Sequence, residues 1–593
     1  MYPGTPDTYV DVAGLSRNRG GPEDSAGQKR SAAGRPSLTM RAHVVWSDIK
    51  LGLRVTPLLT YVDWVIALAL ALTTLGLGMY QTDSVSLWYD ETWSYGVATV
   101  PIVDMLRYFF HWPNMMSYHI FLHFWLGLSH LLHTEPDELY LRLPSAIAIA
   151  LSVAVLYLFG RHFFGHVAGL VAALAYMLNS IVLQDAQQVR AYAPELLLAI
   201  VSWYALAVAL ETSEQSHYRA RRWWMAYSVI TILAIYTHLF MVLILGSQVL
   251  AVLFLAIVPG PWHARALIAW RAFWRSCVAI VVCSIPILIL AKLGGTPNTW
   301  VPVPGPKDIY ALLMILSGGD VTLLVLSVSL GLIAFGLLVA ALAKTSLMHW
   351  LDDWKLRMGL RQKAEEARAL DLAPIRAPHP GVSLIVIWAA GTILLSYIVS
   401  QKFIGQHFFY YRYENVVIPA LCLLIGVGVS ALRWRIAQAG VAIALLILLA
   451  QGPGYYYRHA QVQDFRTPAL WLKAHYQPGD GIACTDSTSC SIPMGYYLEA
   501  YPPSAAQFDS DSPGAFFWAA HHGVASSIDG LSAYSAKHHR VFLVVFRGTQ
   551  SSEISPEGQA MKAWYDTHFP LVGSAQTTTE SVYLYDTASP RSP

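Results

Sequence analysis

Charge is scarce in this sequence. Only 13% of its 593 residues are Asp, Glu, Lys or Arg, against 55% hydrophobic and 12% aromatic. A soluble globular protein of this length carries about a quarter charged residues, so that class is excluded and a polytopic membrane protein is indicated. The 39 basic and 37 acidic residues leave a formal net charge of +2, which offers no basic footprint and excludes nucleic acid as a partner. Cysteine is scarce as well. Cys277, Cys283 and Cys422 lie in apolar runs, while Cys484 and Cys490 lie in the polar C-terminal part, where they either form a short disulfide in an oxidising compartment or remain free thiols. The first fifty or so residues lack an apolar signal-peptide core and are rich in Gly, Pro, Ser and Arg. They read as a disordered cytoplasmic tail, residues 1–56. Internal repeats and inverted transporter-like halves are also absent.

What the chain has in abundance is apolar runs long enough to cross a bilayer core of about 30 Å as helices. They start near Leu58, Leu143, Val167, Pro194, Trp223, Met241, Cys277, Val321, Val382, Val416 and Val441, about eleven spans. Trp223 to Val258 is too long for one crossing and must fold back at Thr237 and His238. Met115 to Leu132 is ambiguous, since it is long enough to span yet carries three histidines. Charge bias decides: if this run lies flat, the basic clusters Arg219, Arg221, Arg222, then Arg265, Arg271, Arg275, then Lys344 to Arg376, all share one side with the N-terminal tail. It is therefore read as an interfacial or re-entrant helix, with the N-terminus cytoplasmic and the C-terminus extracytoplasmic.

Three regions follow: the tail 1–56, a transmembrane domain 57–456 whose first outer loop with juxtamembrane helices spans 81–135, and an extracytoplasmic α/β domain 457–593. In the last, FRTPALWLKAHYQPGD reads as an amphipathic helix, and GIACT, RVFLVVFRG and SVYLYDT as strands. A lid or an acceptor-binding module are its candidate roles.

In this orientation the polar residues hardest to explain as solubilising surface gather at one end of the bundle. Asp90, Glu91 and His111 come from the first loop. Asp185, Gln188, Arg190 and Tyr192 come from the third connection, His238 from a turn, and Lys402 and Arg412 from the stretch before the tenth span. Charges at membrane depth are costly unless paired or hydrated, so such a set points to a cavity. Carboxylates beside isolated cations suit sugar transfer from a lipid phosphate. The leaving phosphate needs positive charge, which Arg190, Lys402 and Arg412 can supply, and the attacking hydroxyl needs a base. A carboxylate in a partly dry aromatic setting such as SLWYDETWSYG, Ser86 to Gly96, becomes a stronger base. Other features read more plainly. His119 and His123 have an i, i+4 zinc-compatible spacing but no partnering carboxylate, so interfacial packing explains them. Asp63 suits a helix start or snorkelling, and Lys355 to Arg376 a cytoplasmic interfacial helix on anionic lipid.

The order of short motifs resembles the integral-membrane GT-C glycosyltransferases that use polyprenyl-phosphate sugars. More narrowly it resembles bacterial family-39-type enzymes, akin to protein mannosyltransferases and lipid A aminoarabinose transferases. YDETW (Tyr89 to Trp93), HWPNMMSYHIFLHFWL (His111 to Leu126), LRLPSAIAI (Leu141 to Ile149), QQVRAYAPELLLA (Gln187 to Ala199), YTHLF (Tyr236 to Phe240) and RYENVVIPAL (Arg412 to Leu421) carry it. The resemblance implies a helical GT-C fold of about eleven spans plus a small α/β domain, and an inverting transfer of a hexose or pentose. Asp90 would be the general base, with Glu91 beside it. Arg190, Lys402, Arg412 and His238 would face the donor phosphate, and Asp185, Gln188, Tyr192 and His111 the acceptor or a second acidic role. The expected partners are a polyprenyl-phosphate sugar donor, a protein, lipid or glycan acceptor, and membrane lipid. No cofactor is required, and there is room for a divalent cation. Two departures stand out: Met115 and Met116 replace paired prolines, and Gln188 replaces a glutamate, for which Asp185, one helical turn earlier, can substitute. A lipid-linked-sugar flippase or transporter and a non-catalytic glycolipid-binding relative remain as alternative functions.

Overall fold

The computed structural model describes residues 60–591 apart from 135, 261, 295–300, 358–380, 403–406, 461–462, 486–489, 499–527, 548–553 and 555. The N-terminal tail and most of the Lys355 to Arg376 cluster therefore lie outside the described residues.

The chain opens with α1 (Tyr61–Met79), started by a capping box in which Thr60 and Asp63 exchange hydrogen bonds. Asp63 does more than start a helix. Its Oδ1 also accepts from Arg161 Nε at 2.9 Å and from the Tyr157 hydroxyl at 3.1 Å, a buried ion pair tying two helices at one end of the bundle. Next come α2 (Tyr89–Thr99), α3 (Ile102–Phe109) and α4 (Met116–Leu131), then α5 (Glu138–Phe164), α6 (His166–Met177), α7 (Ser180–Ala186), α8 (Tyr192–Thr212), α9 (His217–Thr237), α10 (Met241–Ile257) and α11 (His263–Gly294). The bundle closes with α12 (Pro306–Leu316), α13 (Val321–Arg357), α14 (Val382–Val399), α15 (Ile418–Ala431), α16 (Arg435–Leu449) and α17 (Gln451–His459).

Nine of the eleven expected spans coincide with a single helix, while the span from Val167 falls on α6 and α7 and the span from Val441 on α16 and α17. Among the described residues eight helices are long and apolar enough to cross a membrane, and α6 with α7, bent by 64° at their break, makes up to nine. α10 is one residue short of that length, and α9 opens on the basic stretch HYRARR. The chain is thus a multi-pass membrane protein. The fold-back after α9 falls at His238, whose extended backbone ends the helix.

α4 does not cross. Asn114, just before it, accepts from the Leu239 amide at 3.1 Å, and Glu138, just after it, holds Arg466 of the C-terminal domain at 2.9 Å, so both flanks sit at the same end of the bundle. Between them, Trp125 stacks on Tyr140 at 4.8 Å and donates to its carbonyl. Met115 enters α4 at φ +63°. Proline, locked near φ −65°, could not adopt that backbone conformation.

Small residues let helices approach closely. A Cβ on Gly160 would come within 2.6 Å of Gly169 Cα, and one on Gly426 within 2.2 Å of the Ala168 carbonyl. Deeper in the bundle Trp203 stacks on Trp388 at 5.3 Å, and both are fully buried.

Beyond the bundle, α18 (Arg466–His475), β1 (Gly481–Cys484), α19 (Ile528–Ser535), β2 (Arg540–Phe546), α20 (Pro556–His568), β3 (Leu571–Gln576) and β4 (Glu580–Asp586) form an α/β domain. Its sheet has the order β1-β2-β4-β3, with β1 parallel to β2 and the other pairs antiparallel. Cys484 is disulfide-bonded, whereas Cys277, Cys283 and Cys422 are free. The side chain of Cys490 lies outside the described residues.

Candidate active site

Asp90 and Glu91 occupy successive positions in the first turn of α2 and point into different surroundings. Glu91 is fully buried and saturated. Its two carboxylate oxygens receive a bidentate pair from Arg142 Nε (2.8 Å) and Nη2 (2.7 Å), the Val189 amide at 2.8 Å and the Trp88 amide at 3.0 Å. The remaining Arg142 donors bind the carbonyls of Thr82, Val85 and Ser86. The dry setting expected around Asp90 belongs to Glu91, whose lone pairs are spent on fixing the loop.

Asp90 is one-third exposed and lies between two guanidinium groups, Arg190 Nη2 at 3.8 Å and Arg412 Nη1 at 3.9 Å. These are ion contacts too long to be hydrogen bonds, so the carboxylate and both cations remain available to a ligand. Each arginine is held separately. Arg190 Nη1 donates to the Asp90 carbonyl and to Ser94 Oγ, and its guanidinium lies 5.8 Å from the ring of buried Tyr192. Arg412 lies 4.3 Å over the Trp88 ring and donates from Nε to the Tyr411 hydroxyl at 3.1 Å. Cation–π packing of this kind orients a guanidinium without consuming its other N–H donors.

Behind this pair lies a second, buried layer. His238 Nδ1 is 3.2 Å from Glu195 Oε1, close but not aligned as a hydrogen bond, and its Nε2 is 3.5 Å from Asn114 Nδ2. Its ring packs against Tyr413 at 5.3 Å and Tyr192 at 6.0 Å. His238 therefore sits behind the aromatic wall of the site.

The expected exchange of Gln188 for Asp185 is not what the geometry provides. α7 ends at Ala186 and Gln187 leaves helical geometry, which breaks the one-turn relationship. The Asp185 carboxylate instead accepts from Asn415 Nδ2 at 2.8 Å in a buried contact. Gln188 contributes its backbone carbonyl to Ser145, and its buried Oε1 has no hydrogen bond among the described residues. His111 and Lys402 are exposed and have no ion pair among the described residues. His119 and His123 do not converge: His123 binds the Ala98 carbonyl at 2.8 Å, while His119 stacks on Phe109. Among the described residues no three His, Cys, Asp or Glu side chains group to hold a metal ion.

Two residues that matter to this architecture had no role in the sequence reading: Arg142 stands inside LRLPSAIAI and Glu195 inside QQVRAYAPELLLA, each a charge in an apolar run. Gln187 donates to the carbonyls of Gly78 and Tyr80 and so fixes the end of α1.

Fold and site define the class: a polytopic helical membrane protein with a GT-C fold and an arginine-flanked carboxylate at one end of its bundle. Residues 119–289, less than a third of the chain, match the family model described as dolichyl-phosphate-mannose-protein mannosyltransferase. Among solved structures the chain is similar to ArnT from Cupriavidus metallidurans bound to undecaprenyl phosphate, at a TM-score of 0.50 and 13% identity, covering 88% of this chain and 98% of that one. It is similar also to the apo form of that protein, at a TM-score of 0.52 and 12% identity over 92% and 98% of the two chains. At such identity the likeness establishes the fold. No curated protein matches the chain in sequence.

Proposed function

We propose that this protein is a glycosyltransferase. In this reading it moves a hexosyl or pentosyl group from a polyprenyl-phosphate carrier to an acceptor at the outer face of the cytoplasmic membrane, with inversion at the sugar carbon. The observation that carries this reading is the placement of Asp90 between Arg190 and Arg412 at contact but not hydrogen-bond distance. The mannosyltransferase segment and the fold shared with a protein that binds undecaprenyl phosphate support it.

In the free enzyme Asp90 balances the two guanidinium charges. A phosphate arriving on a lipid carrier competes for both arginines, since planar guanidinium groups bind phosphate oxygens well. The phosphate then takes over those contacts and leaves the Asp90 carboxylate to face the acceptor hydroxyl. The acceptor hydroxyl attacks the anomeric carbon and gives its proton to the Asp90 carboxylate. The bond from that carbon to the phosphate oxygen breaks, and the carrier leaves as a phosphate held by Arg190 and Arg412. Glu91 takes no proton in this scheme; through Arg142 it holds the loop that presents Asp90. Tyr192 and His238 support the arginine side of the pocket.

Purified protein in detergent should transfer sugar from a polyprenyl-phosphate donor, and Asp90→Asn should lower the rate by about 10²- to 10⁴-fold without altering expression or the unfolding transition. A flippase needs two compartments and would show no transfer in detergent. Full activity of Asp90→Asn would remove Asp90 as the base.

A further inference from the structure

The segment that delivers Asp90 has almost no regular structure of its own. Residues 85–88 lie between a short 3-10 turn and α2 and belong to no helix or strand, so their backbone polar groups depend on partners from elsewhere. Arg142 satisfies one side of the segment. The other side is satisfied by the C-terminal domain, hundreds of residues later in the chain. The Tyr497 hydroxyl accepts from the Leu87 amide at 2.7 Å and lies 3.2 Å from Glu138 Oε1. Gln463 Oε1 accepts from the Tyr89 amide at 2.8 Å, one of the donors left open at the N-terminus of α2. Arg466 donates to the carbonyls of Asp83 (2.8 Å) and Val85 (3.2 Å), and Ser86 Oγ accepts from the Phe465 and Arg466 amides. Tyr496 packs edge-on against Tyr95 of α2 at 4.9 Å.

A lid or a separate acceptor module would leave the first loop free to hold its own shape. Here the loop is shaped by the domain. Tyr89 directly precedes Asp90, so any shift of its amide moves the carboxylate relative to Arg190 and Arg412, which contact it only loosely. We infer that the C-terminal domain is a working part of the transfer site, with Gln463 and Tyr497 as positioning residues that set the start of α2 and thereby the place of Asp90. This rests on the reading of Asp90 as the base.

The test uses full-length protein carrying Gln463→Ala or Tyr497→Phe, each compared with wild type for donor kinetics and for amide hydrogen exchange in the peptide covering residues 83–93. Both variants should lose about 10- to 100-fold in kcat with KM for the polyprenyl-phosphate sugar unchanged, because misplacement of a reacting group by about 1 Å costs that much. Exchange in residues 83–93 should accelerate while α5 peptides stay protected. Gln463→Glu keeps an acceptor for the Tyr89 amide and should recover most of kcat; if Gln463→Ala fails to fold, Tyr497→Phe decides. Unchanged kcat, unchanged exchange, or a loss confined to KM would overturn the inference. Should the wild type transfer no sugar, the glycosyltransferase reading fails, and exchange alone then decides whether the domain holds the loop.

Discussion

Adjacent carboxylates on a helix point about 100° apart, and that rotation gives Asp90 and Glu91 opposite duties. Glu91 faces inward to Arg142, and removing one partner of a fully buried pair leaves the other charge without compensation. Glu91→Gln should therefore destabilise the protein by about 3–5 kcal/mol, read as a lowered unfolding transition in detergent, whereas Asp90→Asn leaves that transition in place. Equal transitions for the two variants would show that the pair is not structural. YDETW makes both acids visible in the sequence but does not show that Glu91 is spent on a buried ion pair. The partner that separates them, Arg142, lies 51 residues away, and a single arginine at the edge of an apolar run gives no sign of its target. His119 makes a second case. Burial, with the nearby Arg190 charge, pushes its pKa down from 6.5 to about 3, so the folded state holds it neutral while the unfolded chain protonates. Between those values the unfolded state binds more protons, and stability falls as pH drops below 6.5, by up to about 1.4 kcal/mol per pH unit; above 6.5 the effect vanishes. His119→Phe should flatten this dependence between pH 6.5 and 4, measured as unfolding midpoint against pH. Parallel curves for variant and wild type would refute it.

At the scale of elements, span positions were legible because bilayer thickness imposes a length and a hydropathy that few other constraints mimic. The flat course expected for α4 from the distribution of basic residues is matched by the tethering of both its flanks at one end of the bundle. Strands β1, β2 and β4 announce themselves by β-branched and aromatic runs; β3, LVGSAQ, is a mostly exposed edge strand with a register shift between Leu571 and Gly573, and its pattern is too weak to read. The substitute role for Asp185 failed because a helix break at Gln187 is invisible to a spacing argument. Close helix contacts are likewise hidden, since a glycine in an apolar run reads the same whether it faces lipid or a neighbouring backbone. Gly169 faces a backbone: an added Cβ would lie 2.6 Å from the Arg161 amide and 2.8 Å from the Tyr157 carbonyl. Gly169→Val must part α5 from α6 and should cost about 1–3 kcal/mol. Gly76→Val, where a Cβ meets nothing within 4 Å, should be tolerated. Indistinguishable unfolding transitions for the two would mean that α5 and α6 do not pack as described.

For the whole molecule, the bundle has two polar ends of different character. One holds Asp90, Arg190, Arg412 and the C-terminal domain. The other holds the Asp63–Arg161 pair, His162 beside Glu211, and the Arg265–Glu214 pair, with the basic start of α9. Positively charged connections are retained in the cytoplasm during insertion, so the proposed orientation puts the second end inside and Asp90 outside. The disulfide at Cys484 agrees with that placement, because such bonds persist in oxidising compartments. The proposed transfer to an acceptor outside the membrane requires this orientation, which can be tested without any knowledge of the sugar. Val572, on the exposed edge strand of the C-terminal domain, and Tyr218, at the start of α9, are both well exposed. A cysteine introduced by Val572→Cys should react with a membrane-impermeant maleimide on intact cells, and one introduced by Tyr218→Cys only after permeabilisation. The reverse pattern would put Asp90 in the cytoplasm, and labelling of both from outside would contradict the separation of the two ends on which the transfer site depends.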